Sequence, residues 1–216
     1  MHPRDCPSWE YGTHPDRNRL LPSRCESTLI RLRSGRIDTL VLSVDSRSTH
    51  QYFFSGLTPA TCPYYAGHYR GELFRCLEFY EVHIPNDPRV GERAVIVSNS
   101  MNAMGKIIRS GIAALDNANQ LPESQVPKWQ KHYYLVAFAC RIFVEFLRIH
   151  PYANGNGHTA RFLIWALLGR YNLWPRRWPL DERPPDPPYS RLIFEYRNGN
   201  REPLEKFVLK CVLGEV

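Results

Sequence analysis

The chain has 216 residues, a hydrophobic share of 43% and a net charge of +7. That length and composition fit one globular domain with a proper core. No run reaches membrane-spanning length, and no Lys/Arg block or aromatic-basic alternation marks a nucleic-acid reader, so neither a membrane nor a nucleic acid is an expected partner. Arginine heavily outnumbers lysine, which favours phosphate-bearing or acidic partners. The six cysteines, Cys6, Cys25, Cys62, Cys76, Cys140 and Cys211, show no C-x-x-C spacing, so neither a zinc knuckle nor a redox pair is indicated. A core-rich chain of this length needs no disulfide, and Met1 to Glu10 is charged and proline-bearing rather than signal-like. The expected place is a reducing cytoplasm, or a host cell into which the chain is delivered.

Met1 to about Arg24 is rich in Pro, Arg, Asp and Ser and reads as an extended arm, part of a partly irregular extension over residues 1–47. Within it Leu40 to Val44 fits a short strand or a helix end equally well. Residues 48–216 read as the main domain. Thr58-Pro59 starts a turn. After Gly67-His68-Tyr69-Arg70-Gly71 comes Leu73 to Ile84, where Tyr80, Val82 and Ile84 alternate with Glu81 and His83 in a strand pattern. Asn86-Asp87-Pro88 turns the chain. From Val95 to Ala118, apolar residues including Val97, Met101, Met104, Ile108 and Ile112 recur at helical steps. Trp129 to Ile149 continues as a second helix, largely buried, with Arg141, Glu145 and Arg148 on one face. Thr159 to about Tyr171 is a third, apolar nearly all round. Trp174 to Pro188 is a proline-rich irregular loop. Helical segments follow from Tyr189 to Val216, split near Asn198-Gly199-Asn200.

Between the second and third helices stands H-P-Y-A-N-G-N-G-H-T-A-R, residues 150–161. Pro151 and the two glycines break the helix into a tight loop and let backbone approach a ligand closely. Free N–H groups opening the next helix suit a phosphate. His150 and Arg161 add a proton acceptor and a fixed positive charge. The plain alternative is a structural glycine turn between two core helices, with His150 an ordinary satisfied histidine.

The stretch resembles the signature H-x-F-x-[D/E]-G-N-G-R-x-x-R of the Fic (filamentation induced by cAMP) family. His150, Pro151, Gly155, Asn156, Gly157 and Arg161 match; Tyr152, Asn154 and His158 depart. The resemblance implies a mainly α bundle with a small β-hairpin flap over the active-site loop. The flap would carry the target-docking residues Leu73, Phe74, Tyr80 and Val82 and hold a target segment as an added strand; an edge hairpin that only covers the core is the bland reading. It implies an AMPylase-like transferase that moves AMP from ATP to a Ser, Thr or Tyr hydroxyl of another protein. His150 would be the general base. Asn154, Gly155, Asn156, Gly157, His158 and Arg161 would bind the phosphates. The family's acidic residue holds Mg²⁺, and here Asn154 offers that ion only a neutral oxygen. A weakened domain that binds only nucleotide or a partner, and a transferase of another phosphate-containing group, follow from the same departures. No glutamate carries the family's [S/T]-x-x-x-E-[G/N] inhibitory pattern. Control would then fall to a separate small inhibitory protein, to oligomerisation or to the flap.

Overall fold

The computed structural model describes residues 6–84 and 87–215. Its helices are α1 (Arg17–Arg33), α2 (Thr39–Val44), α3 (Arg47–Phe54), α4 (Ala94–Gln120), α5 (Lys128–Ile149), α6 (Asn156–Gly169), α7 (Tyr189–Arg197) and α8 (Glu202–Leu213), with 3₁₀ turns at Tyr11–Thr13 and Pro63–Tyr65. The middle follows from periodicity. In α4 the residues spaced three and four apart, Val97, Met101, Met104, Ile108 and Ile112, are buried, with Ala94 and Gly105 beside them. In α6 every residue except Gly157 is buried. The α6 helix is therefore the axis of the domain, and α1, α2 and α5 all pack on it. The α4 helix lies against α5 and α2, while α7 and α8 close the far side of α5. Leu40 to Val44 resolves as helix, begun by Asp38, whose carboxylate accepts from the Leu40 and Val41 N–H groups.

Two expectations are corrected. Among the described residues there is no strand, so the β-hairpin flap is absent. Residues 71–80 instead make backbone bonds among themselves. Leu77 and Glu78 N–H donate to Phe74 O, Tyr80 N–H donates to Leu77 O, and Gly71 N–H donates to Leu77 O. A chain coiled on its own carbonyls has no ladder to offer a neighbour. Of the alternating residues, Tyr80 and Val82 are half-buried and Ile84 is exposed. The turn expected at Asn86 lies outside the described residues.

The cysteines are also not all free. Cys6 is disulfide-bonded to Cys76, whereas Cys25, Cys62, Cys140 and Cys211 are unpaired and buried. The pair forms because the chain before α1 folds back over residues 71–80 rather than trailing as an arm. Trp9 is buried and donates from Nε1 to Leu57 O. Tyr65 Oη donates to Pro7 O. Helix starts at Arg17, with Leu21, Cys25, Thr28 and Leu32 as its buried stripe. No helix among the described residues is long and apolar enough to cross a membrane.

Candidate active site

The loop between α5 and α6 begins where α5 has to stop. A proline disfavours the right-handed α conformation in the residue before it, and His150, preceding Pro151, is left-handed at φ 55°. For a residue with a Cβ this is an uncommon and strained conformation. It is held by bonds on both sides. His150 N–H donates to Phe146 O at 2.9 Å, and Arg70 Nε donates to His150 O at 2.8 Å. The imidazole Nδ1 lies 3.1 Å from Leu147 O. A carbonyl only accepts, so Nδ1 carries the proton and Nε2 is the bare, basic nitrogen. No described residue bonds Nε2. Burial pushes the His150 pKa down to about 4, against the opposing Leu147 hydrogen bond and with help from the Arg70 and Arg197 charges. At neutral pH the ring is an oriented free base.

The loop's turn is built around Asn156, whose Oδ1 accepts from Tyr152 N–H and whose Nδ2 donates to Tyr152 O. Tyr152, in the place of the expected Phe, is fully buried and shares a 2.8 Å hydroxyl hydrogen bond with Ser46. Gly155 is left-handed at φ 77°, and a Cβ there would lie 2.4 Å from the Phe54 ring. Both facts require glycine. Helix α6 closes its own ladder only from Thr159 N–H onto Gly155 O, so the N–H groups of Asn156, Gly157 and His158 precede it, as an anion-binding helix start requires.

Sequence reasoning missed what covers this helix start. His50 stacks on Tyr152 with ring centroids 3.6 Å apart, accepts from Gly67 N–H at Nδ1 and donates from Nε2 to Asn154 O. Burial lowers its pKa to about 3. Trp9 O accepts from Asn154 Nδ2 at 2.7 Å, and Asn154 Oδ1 accepts from Gly155 N–H. Both ends of the Asn154 amide are therefore spent inside the chain. His158 donates from Nε2 to Asp181 O and accepts at Nδ1 from Tyr11 Oη. Burial, then the Arg161 charge, lower its pKa to about 3. The lone Trp9 and Tyr11 in an otherwise polar stretch were the only signal in the sequence that this segment packs.

Arg161 is 2% exposed and donates from Nε and Nη2 to Leu180 O. No carboxylate pairs with it among the described residues. A buried guanidinium without a counter-ion is costly, and an anion beside it would offset that cost. Burial lowers its pKa, opposed by Tyr189. The fit to Mg²⁺ is poor. No group of three His, Cys, Asp or Glu side chains is placed to hold an ion among the described residues, and the Asn154 oxygen is engaged. The four residues expected to dock a target differ in exposure. Leu73 is exposed, Phe74 stacks on Tyr64, Tyr80 meets the Tyr65 ring and Val82 is half-buried.

Residues 92–168 match the model of the Fic/DOC family. The match spans α4, α5, the loop and nearly all of α6. No curated protein matches the chain.

Proposed function

Because residues 92–168 form a Fic/DOC-family domain, we propose that this chain is a transferase that moves AMP from ATP to a Ser, Thr or Tyr hydroxyl of another protein. The observation that carries the reading is the fixed His150 tautomer, with Nδ1–H on Leu147 O and Nε2 bare. The target hydroxyl gives its proton to Nε2 as its oxygen attacks the α-phosphorus. The P–O bond to the leaving pyrophosphate breaks and AMP stays on the target. Arg161 and the first N–H groups of α6 are suited to hold phosphate oxygens as charge grows on them. No step is assigned to Mg²⁺, since Asn154 does not fit it.

The form described is closed. Asn154 and His158 bind Trp9 O and Tyr11 Oη, so nucleotide entry requires residues 9–11 to move away. ATP is an intracellular donor, which favours a cytoplasm, the chain's own or a host's, as the place of action. Thiols there cleave accessible disulfides, and loss of Cys6–Cys76 would leave residues 6–11 held by noncovalent contacts alone.

A second reading, a nucleotide- or partner-binding module, is favoured by these same self-contacts at Asn154 and His158. The test incubates the protein with ATP labelled at the α- or the γ-phosphate and a cell lysate, in reducing buffer. Label transferred from the α position supports nucleotidyl transfer. Label from the γ position alone means that a different phosphate-containing group moves. Nucleotide binding without label leaves the binding module.

A further inference from the structure

Arg70 is a fully buried arginine that the chemistry above does not use. Its side chain is 0% exposed, and its nearest carboxylate, Glu81, stands 3.7 Å away and is itself 40% exposed. Its partners are carbonyl oxygens. Nε donates to His150 O at 2.8 Å, Nη1 to Tyr80 O at 2.9 Å, and Nη2 to Glu92 O at 2.9 Å and to Ile149 O at 3.1 Å. Its backbone N–H adds Pro151 O at 2.8 Å. Glu92 N–H and Gly91 N–H then take Ile149 O and Arg148 O. The last carbonyls of α5 and the first of the loop are thus all claimed, and Arg70 claims those nearest the histidine.

We infer that Arg70 is the positioning residue for His150: it holds the left-handed backbone that aims the base and ties it to the segment ending at Tyr80. The inference rests on the reading of His150 as base. The planar guanidinium is needed because its donors diverge in fixed directions. One edge, Nε with Nη2, reaches His150 O and Ile149 O, and the other, Nη1 with Nη2, reaches Tyr80 O and Glu92 O. An ammonium has only three donors on one nitrogen and cannot span carbonyls this far apart. A left-handed residue carrying a Cβ persists only where its surroundings over-determine it, and among the described residues no other side chain bonds the His150 carbonyl. When His150 relaxes toward an extended conformation, its ring leaves Leu147 O and the tautomer is no longer fixed. The positive charges near the ring are those of Arg70 itself and of Arg197. A movement of residues 71–80 would reach the base through Arg70.

The test uses the full chain labelled with ¹⁵N-histidine, comparing wild type, Arg70→Gln and Arg70→Lys, with His150→Gln to assign the signal. In wild type the His150 ring is expected to show a protonated Nδ1, a bare Nε2 and no titration until well below pH 6. In both Arg70 variants the tautomers should mix and the midpoint should rise by about one pH unit or more. Arg70→Lys decides if Arg70→Gln does not fold. A thermal cycle supplies a second readout. Glycine takes a left-handed backbone freely, so Arg70→Lys should lower the melting temperature less in a His150→Gly background than in wild type. In transfer assays kcat should fall about tenfold or more with the KM for ATP unchanged. A wild-type tautomer and midpoint in Arg70→Lys, together with equal melting losses in both backgrounds, would overturn the inference. If wild type itself transfers no label, the transferase reading fails, and the spectrum and the thermal cycle still judge the role of Arg70.

Discussion

The two ends of the loop from residue 150 to residue 161 are held in opposite ways. At the His150 end the backbone is bound on every side, yet the ring nitrogen Nε2 has no partner among the described residues. At the Asn154–Arg161 end the side chains themselves are consumed. Asn154 is bound to Trp9 O, His158 to Tyr11 Oη and Asp181 O, and Arg161 to Leu180 O. One end is fixed and ready, and the other is fixed and filled. The contrast teaches that one loop can leave a ring nitrogen unpartnered at one end while the rest of the chain supplies polar partners to its side chains at the other.

Acidification should break both ends with the largest effect. His50, His150 and His158 have pKa values pushed down to about 3, about 4 and about 3 from 6.5. The unfolded chain takes up these protons near its ordinary value and the folded chain resists. Stability is therefore fully present above about pH 6.5 and is lost as pH falls through the interval down to the folded values. Each histidine contributes a slope of up to about 1.4 kcal/mol per pH unit. Urea unfolding at pH 7 and pH 5 measures the loss, and His158→Gln should flatten it by about one proton. An unchanged slope in that variant would mean that His158 is not held neutral and that the filled end is misdescribed.

Removing the ring at the ready end should leave the filled end alone. His150→Ala should lower the transfer rate about a hundredfold or more, with fold and nucleotide binding nearly unchanged. Equal transfer by the variant and wild type would remove His150 from the chemistry.

Emptying the filled end should act in the opposite direction. Trp9→Ala with Tyr11→Phe, in a Cys6→Ser background, takes away the disulfide, the buried indole and the hydroxyl on His158. With hydrogen bonds worth about 1 kcal/mol each, ATP binding should tighten about tenfold or more. Calorimetric titration against wild type checks it, and weaker binding would show that residues 9–11 build the site rather than block it.

A smaller change is expected from Asn154→Asp, which cannot donate to Trp9 O and sets a carboxylate against that carbonyl. ATP binding should improve a few-fold and become dependent on Mg²⁺, while wild-type binding stays indifferent to the ion. In the opened background the gain should shrink, because both changes free the same contact. A gain of equal size there would mean that Asn154 does not hold the cover.

Much of the central fold was legible in the sequence. The period of α4, the apolar content of α5 and α6 and the glycine loop between them are local properties. Side-chain spacing and the conformational limits of Pro151 and Gly155 determine them wherever the segment is buried. The resemblance carried by residues 150–161 pointed to the family that the match over residues 92–168 supports. Tertiary structure alone decided the rest. The alternating residues 80–84 form no strand: they follow a segment, 71–80, that coils on its own carbonyls, and Arg70 takes Tyr80 O. The polar arm is a helix and a cover because Trp9, Leu21 and Cys25 find apolar surface that no local pattern announces. Cys6 meets Cys76 across 70 residues of sequence for the same reason. Asn154 and His158 looked like weakened ligands for an ion and a phosphate. Whether a polar side chain faces a ligand or its own backbone depends on what the folded chain brings opposite it, and spacing along the sequence carries no record of that.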